Sequence, residues 1–221
     1  MTKNIAVIPA RGGSKRLPNK NILTLGGKPL VAHSILYAKN NLHLIDEVYV
    51  STDHDEIKEI ALQYGAKVID RPGHLSGDHQ TTASALQHAL EFIGQPVKHV
   101  FLLQPTNPLR PTKMLEEAYS IYDEGNADSL MTVTRVSEKF GKIVDQKYVP
   151  FNYTFGERSQ DIEPLYAENG LLYITKADFI KDGIILAEKN IPFVVDSPFS
   201  KVDIDTEEDL RYAQFLLDTQ A

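Results

Sequence analysis

IPARGGSKRLPNKN, residues Ile8 to Asn21, begins where the apolar run Ile5 to Ile8 ends. The run is short, β-branched and apolar throughout, which suits a strand buried on both faces. The loop that leaves it carries adjacent glycines, Gly12 and Gly13, among the cations Arg11, Lys15, Arg16 and Lys20. Pro9, Pro18 and Pro29 keep it from turning straight into a helix. In an open α/β sheet, the loop after the first strand is where an anionic ligand is held.

Similar runs recur at Val48 to Ser51, Val68 to Ile69, Val100 to Leu103 and Leu130 to Val133, with helix-like segments between most of them. Strands alternating with helices predict an α/β fold: a doubly wound, mostly parallel sheet. The first helix is expected from Pro29, with Leu30, Ile35, Leu36 and Ala38 inward. Asp53 with Glu56 reads as a capping box for the second, which stops near Gly65. A third starts at Thr81 or Thr82, and a fourth, after Pro111, sets Met114, Leu115, Ala118 and Ile121 on one face and ends at Gly125. Strands resume at Gly170 to Thr175 and Phe193 to Val195, before a last helix from Thr206 to Leu217.

Between Glu138 and Glu168 the alternation fails, and Phe140, Tyr148, Phe151, Tyr153, Phe155 and Tyr166 are interleaved with Pro150, Gly156 and Pro164. A linker would be poor in aromatics. The expected organisation is one domain over residues 1–221, with 138–168 inserted as an arm that is either a lid or a dimer contact.

The chain has 221 residues, 42% hydrophobic and 24% charged, and a net charge of −7. That acidic average argues against binding nucleic acid through its phosphate backbone. Absence of cysteine excludes disulfides, thiolate metal sites and a cysteine nucleophile. No apolar run reaches the roughly 20 residues of a membrane span, and MTKNIAVIPA is unlike a signal peptide, so a cytoplasmic protein is expected. Against the acidic average, Arg11 to Lys28 holds five cations and no acid. Either this is a solvated basic loop, or its guest is a compact anion.

Three nucleotide loops can follow a first strand. A Rossmann loop needs G-x-G-x-x-G, which adjacent glycines break; a Walker loop ends Gly-Lys-Ser/Thr, an order that Gly13-Ser14-Lys15 reverses. A long basic loop remains. Its glycines would let backbone N–H groups approach phosphate oxygens, and its cations would offset charge on a departing pyrophosphate. That chemistry is nucleotidyl transfer.

Beyond IPARGGSKRLPNKN, the chain carries STD at Ser51 to Asp53, RPGHLSGD at Arg71 to Asp78, LLQPTNPLR at Leu102 to Arg110, ENGLLYIT at Glu168 to Thr175 and DIDTEEDL at Asp203 to Leu210. With these motifs in this order it resembles the acylneuraminate cytidylyltransferases, or CMP-sialic acid synthetases. The resemblance implies a nucleotidyltransferase (Rossmann-like) fold with a small dimerisation arm, and a homodimer. It implies condensation of CTP with a nonulosonic acid, a nine-carbon keto acid sugar, to give the CMP-sugar and pyrophosphate with Mg²⁺. Arg11, Ser14, Lys15 and Lys20 would contact the triphosphate, with Asn21 nearby. Cytidine recognition would fall to the first loop, Ala10, Gly12 and Gly13 included, with Asp78, Thr81 and Thr82. Gln104 would serve the sugar, and Asp203 and Asp205 the metal. Arg11, Lys15, Lys20 and Asp205 are the implied catalytic residues.

Other assignments stay open. Asp203 and Asp205 are one residue apart in an extended stretch, so both carboxylates share a face, as a hard cation needs. Asp205 with Glu208 is also a capping box. Arg110 either serves the sugar or braces the Pro108 to Pro111 turn. Asn169 and the arm's Lys142 and Gln160 are placed as sugar-binding candidates, Lys142 toward the substrate carboxylate. His33, His54, His74, His79, His88 and His99 show no ligand spacing. Ser159 and Ala167 stand where the family commonly has arginine, and RSQD at Arg158 to Asp161 is similar to enzymes activating pseudaminic and legionaminic acids. The implied sugar is therefore N-acetylneuraminic acid or one of these relatives. A Kdo cytidylyltransferase, a glycosyltransferase using Asp-x-Asp, and a CTP-binding sensor without chemistry are the alternatives.

Overall fold

β1 (Lys3–Pro9) is the strand announced by the apolar run, and Ile5, Ala6, Val7 and Ile8 are all fully buried. A computed structural model describes residues 2–219. After β1 come the two-residue strands β2 (Thr24–Leu25) and β3 (Lys28–Pro29), then α1 (Leu30–Lys39), β4 (Glu47–Thr52), α2 (Asp55–Gln63) and β5 (Lys67–Asp70). α3 (Thr82–Ile93), β6 (Val97–Leu102), α4 (Met114–Glu124) and β7 (Ser129–Val136) continue the alternation. The hairpin β8 (Gly141–Val144) and β9 (Lys147–Pro150), β10 (Leu165–Lys176), α5 (Ala177–Lys181), β11 (Asn190–Val194) and α6 (Glu207–Thr219) complete the chain.

Seven strands form one sheet in the order β11-β7-β10-β6-β1-β4-β5. β1 pairs in parallel with β4 and β6, β4 with β5, and β11 with β7; β10 alone runs antiparallel, to both β6 and β7. The sheet is thus the mostly parallel, doubly wound one expected. Alternation along β1 divides the core: Ala6 and Ile8 join α1, α2 and α4 on one face, while Ile5 and Val7 join α3 and α5 on the other. A third apolar patch sits at the carboxyl end of the sheet. There Leu17 of the first loop meets Leu25, Leu30, Leu109, Val202, Ile204 and, from α6, Ala213 and Leu216. The last helix thereby pins the first loop.

Two local expectations fail for tertiary reasons. Asp53 does not cap α2, whose N-cap is His54 with no side-chain bond; its carboxylate instead accepts the Gly12 N–H at 3.0 Å. On α4, Tyr122 rather than Ile121 is buried, because its ring packs edge-on against His99 with centroids 5.1 Å apart; Ile121 is 46% exposed. α3 starts as expected, with Thr81 Oγ1 accepting the Ser84 N–H at 3.1 Å.

His99 is buried under this aromatic pair, its Nδ1 3.1 Å from Asn4 Oδ1. Burial, helped by repulsion from Lys98, pushes its pKa from 6.5 down to about 4. The unfolded chain therefore takes up this proton first as pH falls. Stability from this group is complete above pH 6.5 and drains as pH falls toward about 4, by about 1.4 kcal/mol per pH unit. Urea titrations between these limits should show a steeper slope in the wild type than in His99→Gln, the difference approaching that amount.

Candidate active site

The sequence of connections makes a crevice. From β1 the chain crosses to β4 on one side, while β6 pairs on the other, so the loops after β1 and β6 part at their carboxyl ends. A cleft of about 510 Å³ opens there, lined among others by Arg11, Lys15, Lys20, Arg71, Gln104 and Asp205. Ser14, Asn21, Asp78, Thr81 and Thr82 also line it, so most of the residues expected to bind nucleotide converge on one cleft.

Within the loop, three contacts set its shape. Asn21 is buried and donates from Nδ2 to the Arg11 carbonyl at 2.8 Å. Ala10, fully buried, donates its N–H to Ser51 at 2.9 Å, which ties the loop to the end of β4. Gly12 gives its N–H to Asp53, and a Cβ there would lie 2.6 Å from His54 Cδ2. Gly12 is therefore a glycine because His54 packs against it, and its amide is already used. Ala10, Gly12 and Gly13 are not among the lining residues; Gly13 alone has open space where a Cβ would be.

The cations are held by two acids. Asp78 pairs with Lys15 at 2.5 Å and Arg11 at 3.2 Å, and Lys15 above all keeps its carboxyl below the usual carboxylate range. Asp205 receives Lys20 at 2.7 Å and Arg16 at 2.6 Å. The Asp205–Glu208 cap is not formed. Thr206 Oγ1 accepts the Asp209 N–H at 3.2 Å, and Asp209 Oδ2 accepts the N–H groups of Asp205 and Thr206 at 3.0 and 2.8 Å. This reciprocal cap leaves the Asp205 carboxylate free to face the loop.

Val202 and Ile204 are buried, so Asp203 and Asp205 point away from the core as the alternation required. The Ile204 N–H donates to Thr106 at 2.8 Å, fastening this stretch to the loop after β6. Crowding by surrounding protein raises the Asp203 pKa, Thr106 opposes the shift, and the Asp205 charge adds to it.

A second cavity of about 530 Å³ adjoins the cleft, and Gln104 lines both. Its wall includes Val136, Phe140, Glu168, Asn169, Lys201 and Asp203. Asn169 lines it, yet its amide is engaged inside the sheet: Oδ1 accepts from Thr132 at 2.6 Å and Nδ2 donates to Thr134 at 3.0 Å. It braces the bulge where β10 shifts register and where Gly170, at φ +71°, leaves room for Asn107. Lys142 and Gln160 are on the exposed arm and line neither cavity; Lys142 Nζ lies 5.8 Å from the Phe151 ring centre.

Arg110 resolves as a brace. It is buried, with Nε donating to Leu171 O at 2.7 Å, Nη1 to Ser34 Oγ at 3.0 Å and Nη2 to Gln104 O at 2.8 Å. Sequence reasoning overlooked Arg71. It is buried, lines the cleft, donates to Ser51 O at 2.6 Å and leaves its Nε without a partner. Its place directly after β5, at the carboxyl end of a strand, was the available signal.

Comparison with known proteins now fixes the family. Residues 5–220 match the family model described as Cytidylyltransferase. The chain belongs to the cytidylyltransferases. It is a nucleotidyltransferase, as the first loop implied. Over 97% of its length it is 36% identical to pseudaminic acid cytidylyltransferase of Campylobacter jejuni, covering 96% of that protein. It is 35% identical to CMP-N,N'-diacetyllegionaminic acid synthase of Legionella pneumophila, with coverage of 97% and 96%. With N-acylneuraminate cytidylyltransferase of Streptococcus agalactiae it shares 33% identity over 94% of this chain and 51% of that one. Among solved structures, CMP:2-keto-3-deoxy-manno-octonic acid synthetase complexed with CTP superposes with a TM-score of 0.73 over the whole of both chains, at 18% identity. That last likeness concerns the fold.

The cap formed by Thr206 and Asp209 has a direct check. Thr206→Ala should cost about 1 kcal/mol of stability in urea unfolding, and Glu208→Ala should leave the midpoint in place.

Proposed function

We propose that this cytidylyltransferase condenses CTP with a nonulosonic acid, N-acetylneuraminic acid or a pseudaminic or legionaminic relative, releasing pyrophosphate. The observation that carries the reading is the cationic cleft at the strand switch point, joined through Gln104 to a second cavity of sugar size. CTP takes the first, with Arg11, Lys15 and Lys20 around its phosphates. Arg71, with an unpartnered Nε, and the Thr81–Thr82 start of α3 lie where the nucleoside would be read. The sugar takes the second, and its anomeric hydroxyl attacks the α-phosphate in line.

Catalysis then rests on positioning and charge, the usual logic of transfer at phosphorus. Lys15, Arg11 and Lys20 exchange carboxylate partners for phosphate oxygens and stabilise the leaving pyrophosphate. Exposed ion pairs such as Lys15–Asp78 are worth little, so the exchange costs little. Asp205 lies beside Lys20 at the edge of the cleft and is the chain's candidate to receive the sugar's proton. The keto acid's carboxylate needs a cation, and Lys201 is the one lysine or arginine on the wall of the second cavity. Glu168, which accepts from Tyr173 at 3.1 Å, is left to meet sugar hydroxyls.

Asp203 and Asp205 fit Mg²⁺, which takes one or two carboxylates and completes its shell with phosphate oxygens and water. Burial chiefly raises the Asp203 pKa, and a divalent cation would relieve the smaller contribution from the Asp205 charge. When bound there, the ion supplies charge neutralisation at the reacting phosphate.

The arm presents Phe140, Ile143, Tyr148, Phe151, Phe155 and Tyr166 to solvent, Ile143 at 81% and Phe155 at 73% exposure. Such a surface calls for a cover. We assign it to a second copy of the chain, toward whose sugar cavity Lys142 would project. Sedimentation equilibrium should return a dimer for the wild type and a monomer for Ile143→Asp.

Pyrophosphate release tests the reaction. With Mg²⁺ it should appear with CTP, and far less with UTP, ATP or GTP, against a panel of N-acetylneuraminic, pseudaminic, legionaminic and Kdo acids. Lys201→Ala should raise KM for the accepted sugar about tenfold or more with KM for CTP unchanged. CTP binding without release for any nonulosonic acid would leave the sensor reading instead.

A further inference from the structure

A third cavity, of about 540 Å³, lies behind the Pro108 to Arg110 turn, against α1 and the start of α4. It shares no lining residue with the catalytic cleft or the sugar cavity. Its wall carries Lys28, Arg110 and Lys113, with Glu116 the one carboxylate. Among the described residues, none of the three cations enters a salt bridge. In a chain of net charge −7, that gathering of unpaired positive charge is unusual.

Arg110 makes the case specific. It is only 7% exposed, and buried charges are ordinarily paired. Its three hydrogen-bond partners are neutral: two backbone carbonyls and the Ser34 hydroxyl. A guanidinium has five N–H donors, so donors remain for a further partner. The Tyr37 ring, 5.6 Å from Arg110 Cζ, gives partial relief. Lys113 stands at the N-cap of α4, an eleven-residue helix whose positive end adds to the field. Tyr37, Leu109 and Phe199 supply an apolar floor.

We propose that this third cavity is a second anion site, for a small molecule presenting a carboxylate or phosphate on an apolar body, and that its occupation is relayed to Gln104 through Arg110. The relay is short. The Gln104 carbonyl accepts from Arg110 Nη2 at 2.8 Å and from Ser34 Oγ at 3.4 Å, and Gln104 is the residue common to the cleft and the sugar cavity. An anion drawing on the remaining donors of Arg110 pulls on the same guanidinium that holds the Gln104 carbonyl. The side chain between the two substrates then shifts.

Phenyl phosphate is a suitable probe, followed by calorimetry and by the Gln104 side-chain amide signal in NMR, neither of which requires turnover. Lys15→Ala weakens the catalytic loop's grip on phosphate, while Lys28→Ala/Lys113→Ala removes two cations of the proposed site; all are exposed positions, so both proteins should fold. The expected result is saturable binding that survives Lys15→Ala, weakens about tenfold in Lys28→Ala/Lys113→Ala, and moves the Gln104 signal. Binding lost in Lys15→Ala but kept in the double variant would place the phosphate in the catalytic cleft and overturn the proposal. So would the absence of saturable binding to Lys15→Ala, or binding there that leaves Gln104 unmoved.

Discussion

The constraint on which everything else depends is the parting of the chain on either side of β1. Parallel strands need crossover connections, and here those from β1 and into β6 lie on opposite sides of one strand boundary. No backbone fills the gap above it. Those amides and carbonyls of the bordering loops that find no strand partner must be met by side chains, solvent or a ligand. Arg11, Lys20 and Gln104 inherit their neighbourhood from that topology. Asp205 arrives differently, from the far end of the chain, delivered because α6 packs Ala213 and Leu216 against Leu17 of the first loop.

Charge then organises the gap. Four cations of the loop are distributed between Asp78 and Asp205, so the loop is held in shape while its charge stays available to a ligand. The two acids differ in consequence. The Asp78 pairs stand in solvent and are readily given up, whereas the Lys20–Asp205 pair is shielded, with Lys20 only 12% exposed in its side chain. A triphosphate entering the cleft would displace the first before it disturbs the second. Asp205 could thus remain beside the reacting phosphate while Asp78 withdraws.

How much of this is legible in the sequence follows from how local each signal is. The strands can be read because a strand covered on both faces must be apolar throughout, as Ile5 to Ile8 is. The convergence of the basic loop with Gln104 can be read because each follows the carboxyl end of a strand, whereas Asp78 and Thr81 join them through the family resemblance. What cannot be read depends on partners distant in sequence. Asp53 and Glu56 have capping spacing, yet Gly12 takes the carboxylate from the helix. Asp205 and Glu208 have it too, and there the competitor is local instead: Thr206 and Asp209, one position on, form the cap. Ile121 satisfies the helical period, and Tyr122 displaces it because His99 offers a face for its ring. Arg110 reads as a cation beside two prolines; only tertiary structure shows it beneath Gln104. Lys142 and Gln160 read as sugar candidates on the arm, Lys142 for its charge, and the arm carries both away from the two cavities of their own chain.

That arm is not an independent appendage. β10 runs from Leu165 to Lys176, so the strand that closes the arm is also the one wedged antiparallel between β6 and β7 inside the sheet. Its register shifts between Glu168 and Tyr173, and residues 167–170 line the second cavity. Asn107 fixes this bulge from below, donating to Asn169 O at 3.0 Å and to Val202 O at 2.9 Å. One buried amide therefore holds the arm's root, the wall of the second cavity and the stretch carrying Asp203 in a single arrangement. Anything that docks on the arm would pull on a strand whose next residues line that cavity. The proposed assembly through the arm and the proposed sugar recognition would for this reason be two readings of the same segment, and a change of residue at Ala167 or Glu168 would act on both.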